Sequence, residues 1–266
     1  MEPIRIERRG NVEVVTIDRP ERRNALDVAS MRALRTTLET VATDRAVRAV
    51  LLTGAGSAFS AGGDVGVMNE SLDRGDLPEL FHALTGEMER AIGEVLGMPK
   101  PVVAALPGVA AGGGLSLALA ADWRIAAEEA TLVPAFPSLG AVPDGGLTYF
   151  LPHYLGIGLA QELLFSTTRL SAARARELGL LHEIVPAADL LRRALERTTE
   201  LADGPTFAYG ATKRLLHAAF RESAESQMML ERRAAVEAAR REELPEGIRA
   251  FREKRKPNFR SGPKGV

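Results

Sequence analysis

The chain has 266 residues, 45% hydrophobic and 26% charged, which is ordinary for a soluble globular protein and enough for a sizeable core. Its 34 Lys and Arg nearly cancel 35 Asp and Glu, leaving a net charge of -1, so no whole-chain field recruits nucleic acid or an anionic membrane. The absence of cysteine excludes disulfides, thiolate nucleophiles and Cys-ligated metal sites. The opening MEPIRIERRG has no apolar export segment, and no stretch approaches roughly eighteen uninterrupted apolar residues, so a cytoplasmic protein without a membrane span is expected.

In chain order, the alternating, β-branched NVEVVTIDR (11–19) reads as a strand. DVASMRALRTTLETVA (27–42) reads as a helix capped by Asp27, and AVRAVLLTG (46–54) as a buried strand. The segment 69–83, NESLDRGDLPELFHA, mixes acids and turn formers and is expected to be a mobile loop. A helix near 84–96 leads to the strand VVAALPG (102–108), a glycine-led helix and the strand DWRIAAE (122–128). This alternation predicts an α/β protein with parallel strands. Beyond about residue 150 the stretches 160–168, 171–180, 190–203, 206–220 and 225–243 all read as helices.

Two glycine-rich segments each follow a strand: TGAGSAFSAGGD (53–64) and PGVAAGGG (107–114). Glycine lets backbone approach a ligand closely, and a helix N-terminus offers N–H groups without internal partners. Neither segment is a nucleotide motif: 54–59 lacks the last glycine of G-x-G-x-x-G, and no G-x-x-x-x-G-K-[ST] occurs. No G-x-S-x-G surrounds Ser57, Ser60 or Ser116, which weighs against an α/β-hydrolase. Each segment alone is equally a turn or a close helix contact; the pair also suits two peptide N–H donors converging on one oxygen. His82, His153, His182 and His217 show no metal-binding spacing, so no metal site is expected, and His82 reads as a solvated histidine.

Six ordered segments resemble the enoyl-CoA hydratase/isomerase (crotonase) superfamily: RPERRNAL (19–26), GSAFSAGGD (56–64), KPVVAALPGVAAGGGLSLALAAD (100–122), FPSLGAVPDGGLTYFLPHYLG (136–156), ARELGLLHEIVP (176–186) and GIRAFREKRKPNF (247–259). The resemblance implies a spiral of ββα turns over 1–200 that binds an acyl-CoA thioester, and a helical C-terminal region over 201–266 that builds a trimer or a dimer of trimers. It implies no cofactor beyond the CoA of the substrate. By the same resemblance, the N–H groups of Gly63 and Gly113 form an oxyanion hole, and the backbones of Arg22, Arg23, Ala61, Asp64 and Val65 line the CoA cleft. Phe251 and Lys254 reach a CoA site, often a neighbouring subunit's; they stand in a tail (249–266) with seven Lys or Arg against one Glu, which on composition alone reads as solvated.

Hydratases of the superfamily carry two catalytic glutamates, at the positions of Ser116 and near Phe136. Serine and phenylalanine cannot share the work of activating water and protonating carbon, so efficient hydration is not expected. Asp144, in AVPDGGLT, is a turn residue by local sequence but resembles the single base of the enoyl-CoA isomerase and phenylacetate-pathway epoxide isomerase branches. Ser116, Phe136, Leu139 and Val142 are then acyl-pocket residues, the last three a dry wall that raises the pKa of Asp144. The expected activity is conversion of a 3-enoyl-CoA to a 2-enoyl-CoA. A ring-epoxide isomerase, a hydratase recruiting another acid and a non-catalytic acyl-CoA binder are the alternatives.

Overall fold

The computed structural model describes residues 2–260, so Lys264 of the basic tail lies outside the described residues. In chain order the elements are β1 (Ile4–Arg9), β2 (Val12–Ile17), α1 (Val28–Thr43), β3 (Ala49–Gly54), β4 (Ala58–Ser60), α2 (Val65–Arg74), α3 (Leu77–Gly97), β5 (Val102–Leu106), β6 (Val109–Ala111) and α4 (Gly113–Ala120). There follow β7 (Trp123–Ala127), β8 (Thr131–Val133), α5 (Leu147–Leu155), α6 (Ile157–Phe165), β9 (Leu170–Ser171), α7 (Ala172–Glu177), β10 (Glu183–Val185) and α8 (Leu190–Asp203). Three helices close the chain, α9 (Thr206–Ala218), α10 (Ala224–Ala239) and α11 (Glu243–Arg252).

The strands form two sheets. The larger runs β1-β2-β3-β5-β7-β10, parallel except for the β1–β2 hairpin, and the smaller runs β4-β6-β8-β9. A strand of the large sheet leads to one of the small sheet and then to a helix, three times over: β3-β4-α2, β5-β6-α4 and β7-β8-α5. This repeated ββα turn is the spiral that the sequence led us to expect. The chain passes between sheets at glycines because backbones touch there: a Cβ on Gly62 would stand 2.6 Å from Ala111 O, and one on Gly114 2.7 Å from Ser60 Cβ.

Both faces of the large sheet are covered, as parallel sheets require. Along β3, Val50 and Leu52 join the core with α1 and α3, while Ala49 and Leu51 meet Leu190, Ala194 and Ala202 of α8. Asp27 caps α1 as expected, accepting from Ser30 N while Ser30 Oγ accepts from Asp27 N. Among the described residues, no helix is long and apolar enough to cross a membrane.

The segment 69–83 is not a loop. Its turn formers are confined to the joint between two helices: Gly75, at φ 79°, ends α2, and Asp76 with Pro78 opens α3. Ser71 Oγ and Arg74 both donate to the Asp76 carboxylate and lock the joint. The amides of Leu77 and Glu79, in the first turn of α3, have no helical acceptor. Amide hydrogen exchange across 69–83 is therefore expected to be fast only near those two residues, and uniformly fast exchange would contradict the paired helices.

Candidate active site

The small sheet sets the site. The loops leaving β4, β6 and β8 all emerge at one edge, and β9, antiparallel to β8, brings the chain back to that edge. Residues from each of these crossings line one cavity of about 590 Å³: Ala61 and Gly63 after β4, Gly112 and Gly113 after β6, Ala135 and Phe136 after β8, and Thr167 and Arg169 before β9. Met68 of α2 and Phe81, Leu84 and Met88 of α3 form an apolar side of the cavity.

Two backbone N–H groups face away from internal partners. Leu26 pairs with the β4 loop by donating to Gly62 O and accepting from Asp64 N, so the bridge passes over Gly63 and leaves its N–H pointing the other way. Gly113 is the first residue of α4, where N–H groups have no intrahelical acceptor. Its neighbour Gly112 holds φ 51° and ψ -126°, a conformation open to glycine. The two loops touch, since a Cβ on Gly62 would lie 3.4 Å from Gly113 N. At its other end α4 is closed by buried Arg124, which donates to Ala121 O at 2.6 Å and Leu119 O at 3.4 Å. The positive end of the helix dipole thus stays free for the cavity.

Asp144 is the one carboxyl among the described residues lining the cavity. Its Oδ1 is buried without a hydrogen-bond partner, and a Cβ placed on Gly113 would lie 3.6 Å away. Burial, with no compensating charge, raises the pKa of this carboxyl above its ordinary value. Phe136 is buried beside it on a short 3₁₀ turn (136–139) that starts from Ala135 at φ 64°. A non-glycine residue held in that region costs roughly 1–3 kcal/mol, and here it sits on the cavity wall.

The other expected residues divide. Arg23, Ala61 and Val65 line the cavity, as do Phe136 and Leu139. Arg22 and Asp64 stand just behind it: Arg22 Nη1 donates to Asp64 Oδ2 at 2.9 Å, and Asp64 caps α2 through Gly66 N at 3.1 Å. Burial alone would raise the Asp64 pKa, but the Arg22 hydrogen bond and the Arg22 and Arg19 charges hold it below the usual range. His82 is exposed on α3 and off the cavity.

Two expectations need correction. Val142 is 83% exposed and lies off the cavity, its backbone restricted toward the extended region by the following Pro143; Ala141 lines the wall instead. Ser116 is fully buried behind the wall, with its Oγ donating to Asp144 O at 2.9 Å, so it touches the catalytic candidate and not the acyl space. Phe251, 85% exposed, and Lys254, at φ 53°, do not line this chain's cavity. Met68, Phe81, Leu84, Met88 and Arg169 escaped the sequence reading; Met68 stands in α2, which was not expected, Phe81 in the misread segment 69–83, and Leu84 and Met88 on a helix whose apolar stripe also serves the core.

The chain matches the enoyl-CoA hydratase/isomerase family over residues 7–262. It is 37% identical to a protein of Rhodobacter capsulatus named "Probable enoyl-CoA hydratase", over 96% of this chain and 97% of that one. It is 36% identical to the 1,2-epoxyphenylacetyl-CoA isomerase of Escherichia coli, over 93% and 94%. Among solved structures, an enoyl-CoA hydratase from Polaromonas superposes with a TM-score of 0.91 at 34% identity, covering 96% of this chain and 98% of the other.

The raised pKa of Asp144 carries a stability consequence. A carboxyl whose folded pKa lies above its unfolded value of about 3.9 contributes no penalty below that value and destabilises the fold as pH rises through the folded pKa. Asp144→Asn is therefore expected to raise the melting temperature at neutral pH, and the gain should vanish near about pH 4. A lower melting temperature at neutral pH would contradict an uncompensated buried carboxylate.

Proposed function

The chain belongs to the enoyl-CoA hydratase/isomerase family, with its crotonase fold, and from that premise we propose that it is an acyl-CoA isomerase in which Asp144 is the single catalytic base. One observation carries the choice: among the described residues Asp144 alone supplies a carboxyl to the cavity, and Ser116 and Phe136 stand where the family resemblance puts the two hydratase glutamates.

In this reading, the thioester oxygen of a 3-enoyl-CoA accepts hydrogen bonds from Gly63 and Gly113 N–H. Asp144 removes a proton from C2, and the electron pair moves onto the thioester oxygen as a dienolate. The two N–H groups and the α4 dipole stabilise that charge as it develops, which is worth about 2.7–4 kcal/mol per donor in comparable sites. The carboxylic acid so formed returns the proton at C4, giving the conjugated 2-enoyl-CoA. Phe136 and the α3 side chains keep water from intercepting the dienolate. Burial raises the pKa of Asp144 and so makes its carboxylate a stronger base than a solvated one.

A second reading has support in the Escherichia coli relative: the same carboxyl would assist opening and expansion of a ring epoxide of phenylacetyl-CoA. The hydratase names of the Rhodobacter capsulatus and Polaromonas relatives make hydration the alternative that the assay must separate from this reading. We also propose assembly through the C-terminal helices, in line with the resemblance; Leu216, Phe220, Met228 and Met229 are each at least half exposed and form the apolar surface that association would cover.

A paired assay on the purified protein tests the reading, following a 3-enoyl-CoA for the conjugated thioester and a 2-enoyl-CoA for its hydration. Isomerisation without hydration is expected, with activity abolished in Asp144→Asn while acyl-CoA binding persists. Rapid hydration, or full isomerase activity in Asp144→Asn, would overturn it.

A further inference from the structure

Asp144 has one carboxyl oxygen without a hydrogen-bond partner, so side-chain hydrogen bonding does not settle the direction in which the carboxyl points. Its direction follows from the path of the main chain. That path runs through 141–146, between the 3₁₀ turn and α5, and includes Gly145 at φ 58° and Gly146 at φ 78°. Two glycines in left-handed backbone give this segment wide conformational freedom; Leu147 N, donating to Asp144 O at 3.2 Å, closes the turn itself, but its place against α4 must be fixed from outside it.

Ser116 is the residue placed to do so. It lies in α4, three residues beyond Gly113, with no exposed surface. Its Oγ donates to the main-chain oxygen of Asp144 at 2.9 Å, and the oxygen of Gly112 lies 3.4 Å away as a second acceptor. Among the described residues this is the one hydrogen bond between 142–146 and α4. A single hydroxyl therefore stands between the carbonyl of the proposed base and the carbonyl of the residue that precedes the proposed N–H donor. We propose that Ser116 is a positioning residue, one that fixes the Asp144 turn against the N-terminus of α4 and thereby makes one-carboxyl and two-carboxyl chemistry mutually exclusive in this chain. This inference rests on the reading of Asp144 as base.

The exclusion has a steric and an electrostatic side. A Cβ built on Gly145 would stand 2.8 Å from Ser116 Cβ and 2.9 Å from Ile92 Cδ1, so the turn already lies tight against residue 116. A glutamate there would have to displace the turn or hold its carboxylate against Asp144 O, acceptor against acceptor, in a buried space where an unpaired charge is costly. Serine is short enough to fit, and it gives a second donor to a carbonyl that also accepts from Leu147 N at 3.2 Å. Its place in the glycine-led helix thus goes with Asp144 and not with the acyl group.

Kinetics of Ser116→Ala and Ser116→Glu, measured beside Asp144→Asn on a 3-enoyl-CoA and a 2-enoyl-CoA, test the inference. Ser116→Ala is expected to lower kcat for isomerisation about tenfold, the scale of one lost buried hydrogen bond, with KM held within about twofold. The acid limb of its kcat profile should move to lower pH, because a loosened turn lets water reach the carboxyl. Ser116→Glu should lose isomerisation and gain no hydration; Ser116→Ala decides the matter alone where that variant does not fold. Parental kcat and pH profile in Ser116→Ala, or hydration by Ser116→Glu, would overturn the role of Ser116. Full activity in Asp144→Asn would overturn the base and this inference with it, whereas an inactive Asp144→Asn beside an unaltered Ser116→Ala would overturn only the latter.

Discussion

A carboxyl group placed against an apolar wall with one oxygen unpaired is costly to ionise, and the site around Asp144 is built on that cost. Nothing nearby relieves it. Arg22 is engaged with Asp64 and Arg124 with the far end of α4, and the cavity's own arginines, Arg23 and Arg169, do not offset the burial of Asp144. A group so placed favours whichever state neutralises it, so accepting a proton is downhill compared with the same step on a solvated aspartate. The opposite need, a place for negative charge, falls to the backbone. Gly63 and Gly113 offer N–H groups with no internal acceptor, and α4 turns its positive end toward them. In the proposed reaction, charge leaves a carboxylate and arrives at an oxygen held by amides within one cavity.

The fold makes this arrangement by repetition. Each ββα turn moves the chain from the large sheet to the small one and out through a loop at the same edge, so residues far apart in sequence, 63, 113, 136 and 169, line one cavity. The close passages between successive turns require glycine where backbone meets backbone, as at Gly62 and Gly114. The packing glycines stand next to Gly63 and Gly113, whose N–H groups face the cavity, and the poor helix propensity of the 112–114 triplet is the cost of both.

Much of this was legible in the sequence, because the long elements carry clear periods: α1, α8 and the strands β2, β3, β5 and β7 lie within a few residues of their expected bounds. The small sheet was not, since strands of two or three residues inside Gly-rich segments have no measurable alternation. VVAALPG reads as one strand and is cut at Pro107–Gly108, where the chain changes sheets. The segment 69–83 misled because Gly75, Asp76 and Pro78 are helix-terminating and helix-starting residues as well as loop residues, and position relative to the helices decides which. Asp144 and the two glycines were named from motif resemblance, and the structure brings all three to one cavity. The place of Ser116 needed coordinates, as a hydrogen bond to a carbonyl 28 residues away leaves no mark on spacing.

The central proposal is that one carboxyl carries the proton from C2 to C4. The most direct test follows a 3-enoyl-CoA labelled with deuterium at C2 through a single turnover in ordinary water. A shuttle by Asp144 alone predicts that part of the label reappears at C4 of the conjugated product. Complete loss of the label to solvent, at a normal rate of isomerisation, would contradict it.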